Sequence, residues 1–126
     1  MKSKRFLIVD DDEHLRELVQ ACLEDLGGWD TLTAESGEKC LQVLQTESVD
    51  AILLDVSMPN MNGIAVYEEL QTNPTTQTIP VILLTAKVLP SDRTKFAQMG
   101  VTGIISKPIA PASLVAEVTE ILGWLN

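Results

Sequence analysis

Four places in the sequence put chemically active side chains directly after a short apolar run. Asp10, Asp11 and Asp12 follow Phe6 to Val9, and Asp55 follows Ala51 to Leu54. Thr85 follows Val81 to Leu84, and Ser106, Lys107 and Pro108 follow Ile105. If each run is a strand of one parallel sheet, these ends share one edge, where open α/β sheets bind ligands. Carboxylates gathered there repel, because two unit charges about 4 Å apart cost roughly 4 kcal/mol at an effective dielectric near 20. Such a cleft attracts a cation, and hard carboxylate oxygens suit Mg²⁺. Lys107 supplies a second positive charge and Thr85 a neutral donor. Together they make a receptor for a phosphoryl group carried on a carboxylate, since an aspartate can act as nucleophile and form an acyl phosphate. Transfer of that kind needs mainly positioning and charge neutralisation.

The remaining residues supply the elements that would bring those ends together. The runs at Phe6, Ala51 and Val81 are continuously apolar, as strands buried on both faces are. Trp29 to Ala34 and Val101 to Ser106 read as two further strands. Between them, Leu15, Leu18, Val19, Cys22, Leu23 and Leu26 recur at helical spacing, and Gly27-Gly28 stops that helix. Ser36 is placed to cap a second helix with Leu41 and Leu44 on its buried face. Ile64, Val66, Tyr67 and Leu70 belong to a third, ended before Pro74. Pro90 to Met99 forms a fourth, with proline at its start and Gly100 at its end. Pro111 to Leu125 forms the last, with Leu114, Val118, Ile121, Leu122 and Leu125 on its core stripe. The alternation is (βα)5. Strands this apolar need helices on both faces, so the fold class is α/β, an open, doubly wound, five-stranded parallel sheet. Five strands are too few to close a barrel.

Composition narrows the function. The 126 residues predict one domain, 1–126, and 45% hydrophobic with 21% charged residues excludes disorder and fibrous classes. A net charge of −9 argues against direct contact with nucleic acid or an anionic membrane. No apolar run approaches the roughly 18 residues of a membrane span. The basic N-terminus is followed by too short an apolar stretch for a signal peptide, so a cytoplasmic location is expected. Cys22 and Cys40 form no CxxC pair and read as reduced, packed thiols. His14 is the single histidine, so there is no zinc ligand set. No GxGxxG or Walker loop follows the first strand.

The pattern Val9-Asp10-Asp11, Leu54-Asp55-Val56-Ser57-Met58-Pro59, Asn62-Gly63, Thr85-Ala86 and Lys107-Pro108 resembles the receiver domain of two-component response regulators. The likeness runs from Phe6 to Leu125 and is to the single-domain, chemotaxis-receiver type. It implies a flavodoxin-like fold with strand order 2-1-3-4-5. By the same resemblance Asp55 is the phosphoacceptor, fed by a histidine kinase or histidine phosphotransfer protein. Asp10 and Asp11 hold Mg²⁺, Asp11 directly and Asp10 through water, with Asp55 and the backbone carbonyl of Ser57 completing the protein ligands. Thr85 is the switch hydroxyl, Lys107 contacts a phosphoryl oxygen, and Lys107-Pro108 is a cis peptide. The partner surface is the face of the fourth helix, fifth strand and fifth helix, which also serves homodimers. The expected output is a protein contact in trans, unless the chain is a piece of a longer protein. Ile104 departs from the family, which carries Tyr or Phe there; Ile has no ring to rotate and no hydroxyl to bond.

Other residues have plainer readings. Asp12 and Glu13 suit a helix start, and His14 an exposed first turn. Lys87 and Ser57 sit where receivers tune hydrolysis. Val88 and Leu89 would border the Thr85 surface. Trp124 shares a helical face with Glu117 and Glu120, an exposed aromatic or part of an interface. The rival function is a pseudo-receiver that only binds partners, and Ile104 alone favours it. A phosphatase using the same pocket needs a general acid two residues after the nucleophile, where Ser57 stands. An enzyme acting on outside substrates is therefore not expected.

Overall fold

The computed structural model describes residues 4–86 and 89–124. Lys87, Val88 and Leu125, assigned above to the rim of the site and to the last core stripe, lie outside them. Five strands form one sheet: β1 (Arg5–Val9), β2 (Asp30–Ala34), β3 (Ala51–Asp55), β4 (Val81–Thr85) and β5 (Gly103–Ser106). Five helices alternate with them: α1 (Glu13–Ala21), α2 (Gly37–Thr46), α3 (Gly63–Gln71), α4 (Pro90–Met99) and α5 (Pro111–Leu122). All neighbouring strands pair in parallel, in the order β2-β1-β3-β4-β5.

Alternation along the strands divides the core into two layers. Phe6, Ile8, Leu53, Ile82 and Leu84 pack on one face with Val19, Leu23, Leu114 and Val118 of α1, its extension and α5. Leu7, Val9, Ile52, Leu54 and Leu83 pack on the other with Cys40, Val66, Tyr67, Leu70 and Phe96 of α2, α3 and α4. Each such side chain contributes about 1.5–3 kcal/mol when fully buried, and this is what lets the fold tolerate charges at the sheet edge. Both cysteines are buried free thiols, and burial pushes Cys40 up to about 12.

The helix ends follow local chemistry. Asp12 caps α1, accepting from the backbone N–H groups of His14 and Leu15. Ser36 and Asn62 do the same for α2 and α3. Three details depart from the sequence pattern. Leu18 and Leu26 are exposed, although they sit at helical spacing with the buried Val19 and Cys22. Beyond Ala21 the helix widens into a π turn over Cys22–Leu26, with the Gly27 N–H donating to the Cys22 carbonyl, so the apolar phase slips and Leu26 turns outward. The last helix ends at Leu122, with Gly123 left-handed at φ 69°. Trp124 is therefore off the helix, and its supposed acidic face is not where it lies. It folds back onto Phe6 and Trp29, with ring centroids 5.3 and 5.9 Å away, and Lys4 sits over its ring. It is core edging and not an exposed aromatic.

Candidate functional site

Parallel register delivers the reactive residues to one edge. Val9 pairs with Leu54, so Asp10 and Asp55 leave adjacent strands at one level. Thr85 pairs with Ser106, and the Lys107 N–H donates to the Thr85 carbonyl at 2.9 Å. The strand order reverses direction between β1 and β3, the crevice where ligands bind such sheets.

Asp10 and Asp55 are 1% and 2% exposed, and Thr85 is 5% exposed. Asp11 stands in solvent. One oxygen from each of Asp10, Asp11 and Asp55 lies within 4.8 Å of the others. Lys107, half-buried and joined to Pro108 by a cis peptide, reaches across the cleft. Its Nζ donates to Asp55 Oδ1 at 2.9 Å and to Asp10 Oδ2 at 3.2 Å. Asp10 Oδ1 accepts the Asp12 N–H at 2.9 Å. Asp55 Oδ1 also accepts the Ser57 N–H at 3.3 Å.

Burial raises the Asp10 pKa above the usual carboxylate value; the Asp12 N–H and Lys107 oppose this, and the Asp55 charge adds to it. Burial pulls the Lys107 ammonium down, but its hydrogen bond to Asp55 and the charge of Asp10 together outweigh that and leave its pKa raised. Lys107 therefore stays protonated while it screens two buried carboxylates from each other. An all-oxygen set of this size fits a hard divalent cation such as Mg²⁺.

The loop after Asp55 is held close. The Gly63 N–H donates to the Val56 carbonyl at 3.0 Å, and a Cβ on Gly63 would run into the Asp55 carbonyl. All six site residues named from the sequence fall in this region. Ser57 is exposed on the loop two residues past Asp55. Leu89 is exposed, and Ile104 is half-buried against the layer formed with α2, α3 and α4.

Arg16, not singled out from the sequence, contacts the acidic turn. Its Nη1 donates to the Asp10 backbone carbonyl at 2.7 Å. A base one turn beyond the acidic cap was the available signal, and it reads as an ordinary surface charge until the turn is folded.

Comparison with known proteins gives a consistent picture. The sequence profile of the response regulator receiver domain matches residues 6–119. The chain is 36% identical over 120 residues to the alkaline phosphatase synthesis transcriptional regulatory protein PhoP of Bacillus subtilis, covering 95% of this chain and 49% of that protein. It is 41% identical over 119 residues to the transcriptional regulatory protein CpxR of Klebsiella pneumoniae, covering 94% and 49%. It thus spans about half the length of these relatives. The chemotaxis response regulator CheY4 of Vibrio cholerae superposes with a TM-score of 0.88 at 28% identity, over 95% of this chain and 99% of that one. The receiver domain of the sensor histidine kinase PA1611 of Pseudomonas aeruginosa, whose structure has a magnesium ion coordinated in the active site cleft, gives 0.83 at 25% identity, over 97% and 99%. No helix among the described residues is long and apolar enough to cross a membrane.

Proposed function

The chain belongs to the response regulator receiver domain family, and on that premise we propose that Asp55 accepts a phosphoryl group from a phosphohistidine in a Mg²⁺-dependent reaction. The donor is a histidine kinase or a histidine phosphotransfer protein. The observation that carries this is Asp55 itself. It is almost fully buried, yet it opens onto a cleft where Lys107 Nζ lies 2.9 Å from its Oδ1 and two further carboxylates lie within 4.8 Å. A packed core gains nothing from charges clustered in this way.

Asp11, Asp10, Asp55 and the Ser57 carbonyl would hold the ion, which when bound neutralises charge on the carboxylates and on the arriving phosphoryl oxygens. Asp55 acts as nucleophile: its oxygen bonds to phosphorus as the donor's N–P bond breaks and the electron pair returns to the imidazole. Lys107 holds a proton at Nζ throughout and moves from carboxylate to phosphoryl oxygen. Thr85, buried at the end of the neighbouring strand, donates its hydroxyl to another phosphoryl oxygen. That bond exists only in the phosphorylated state, so it shifts a two-state equilibrium in the segment after Thr85 and the face of α4, β5 and α5.

In this reading residues 1–126 are one cytoplasmic receiver domain, and its output is a contact with a protein partner or with a second copy. The transcriptional regulators it resembles are about twice as long, so a regulatory output in the same pathway class belongs to the proposal. A pseudo-receiver, binding partners without phosphorylation, is favoured by Ile104 alone. Intact mass separates the two. After incubation with Mg²⁺ and a small acyl-phosphate donor, one phosphoryl adduct is expected, absent with EDTA and in Asp55→Asn. Folded protein with no adduct under any condition overturns phosphoacceptance in favour of the pseudo-receiver.

A further inference from the structure

We propose that Arg16 is a positioning residue for the divalent-cation site, acting through the peptide that joins its two acidic residues. This rests on the reading of Asp10, Asp11 and Asp55 as cation ligands. The peptide unit between Asp10 and Asp11 is planar, so the direction of its carbonyl sets ψ of Asp10 and φ of Asp11 together. Arg16 Nη1 grips that carbonyl at 2.7 Å. The rest of the turn is already tied. The Asp10 N–H donates to the Ala34 carbonyl at 3.2 Å, and Asp10 Oδ1 accepts the Asp12 N–H at 2.9 Å. The Asp12 carbonyl accepts the Arg16 N–H at 3.0 Å, and the Asp12 side chain caps α1. Arg16 thus closes a ring from the end of β1, through the acidic turn, to the first turn of α1 and back.

Asp11 is the residue that depends most on this ring. Its carboxylate is exposed, so no packing sets its direction, and the backbone must. Arg16 donates to a carbonyl and not to a carboxylate, so it orients the acids without occupying their oxygens. Its planar fork suits the task, because little rotamer freedom is lost per bond formed.

Charge and position predict opposite signs. A guanidinium acting only through its charge opposes a nearby cation, so its removal tightens Mg²⁺ binding. A guanidinium acting as a strut aids binding, so its removal weakens it. The test is titration calorimetry with Mg²⁺ on wild type, Arg16→Met and Arg16→Lys at fixed ionic strength, each shown to be folded by its melting curve. Arg16→Met is expected to raise the Mg²⁺ dissociation constant roughly tenfold, the lower end for outer partners of metal ligands. Arg16→Lys, which keeps a donor of similar reach, is expected to recover most of the affinity. Affinity in Arg16→Met equal to or tighter than wild type overturns the proposal and leaves the cation site intact. No binding by wild type overturns both. Should Arg16→Met melt below the titration temperature, Arg16→Gln is titrated instead, and it must also bind more weakly than wild type.

Discussion

Replacing Lys107 with Met keeps an unbranched stem of similar length and deletes the ammonium, both its charge and its two hydrogen bonds. It leaves Asp10 and Asp55, 1% and 2% exposed, facing each other without their shared cation. At an effective dielectric near 20 the contacts at 2.9 and 3.2 Å are each a gross attraction of about 5 kcal/mol. The repulsion between the two carboxylates, with oxygens within 4.8 Å of each other, is at least about 3.5 kcal/mol on the same scale and then stands unopposed. Two effects reduce the loss. The ammonium no longer has to be desolvated, and the carboxylates can take up protons. The net cost is roughly 3–5 kcal/mol, as for breaking one side of a buried ion pair. For a chain of this size that lowers the melting temperature by roughly 10–20 °C. The assay is thermal melting of wild type and Lys107→Met in EDTA and in saturating Mg²⁺, between pH 5 and pH 8. In EDTA the gap should narrow toward pH 5, because protonation removes the stranded charge. Mg²⁺ should stabilise the variant more than wild type, since Lys107 holds oxygens that the ion would use. A gap under about 1 kcal/mol in EDTA at pH 8, or an equal gain from Mg²⁺ in both proteins, refutes the electrostatic account.

The raised pKa of Asp10 has a sign that can be tested. Its contribution is fully present below the ordinary value near 3.8 and is lost as pH rises through the higher folded value, so ionised Asp10 opposes folding at neutral pH. Asp10→Asn, which keeps an oxygen for the Asp12 N–H, should therefore stabilise the metal-free protein at pH 7 by about 1 kcal/mol in urea unfolding while weakening Mg²⁺ binding. Lys107 has the same direction of pH dependence in a far higher window: its stabilisation is intact below 10.5 and is lost only as pH climbs through its raised value, so alkaline unfolding of wild type should begin above that point. Gly63→Ala should cost about 1–3 kcal/mol and slow acyl-phosphate labelling, because the added Cβ overlaps the Asp55 carbonyl; unchanged melting and labelling would show that the loop gives way freely.

The sheet and its edge were legible because their signals are local and strong. A run such as Ala51 to Leu54 is apolar at every position, which a strand covered on both faces requires, and Asp55 then breaks it at a fixed place. Parallel register does the rest, since every strand points its C-terminal residue the same way. Misreadings arose where backbone geometry departs from a regular period. Leu26 matched a helical stripe, but the π turn before it alters the advance per residue. Trp124 matched an acidic face only if the helix continued, and Gly123, left-handed, ends it. Arg16 was invisible for another reason: its partner is a backbone carbonyl, and no side-chain pattern marks which carbonyls lack a ladder bond.

If Asp55 is phosphorylated as proposed, the charge balance of the cleft ties its resting geometry to the response. Asp10, Asp11, Asp55 and Lys107 together carry a formal charge of minus two, which one divalent cation would cancel. Converting the Asp55 carboxylate into an acyl phosphate adds one more negative charge and three strong acceptor oxygens at the same spot. Lys107 is the only ammonium contacting the cleft among the described residues, and it already bonds two carboxylates there. The added demand must be met by neutral donors, and the Thr85 hydroxyl, one residue past the register partner of Asp55 on the neighbouring strand, is a candidate. Thr85 is buried and its carbonyl accepts the Lys107 N–H, so the hydroxyl-bearing residue and the ammonium-bearing residue are tied through the backbone. Ile104 then matters by what it lacks. With no hydroxyl and no ring, it can follow a moving threonine only by repacking against the core layer it borders. On the proposed reading, the response to phosphorylation therefore starts at Thr85, and Ile104 contributes to it through packing and not through a hydroxyl or a ring.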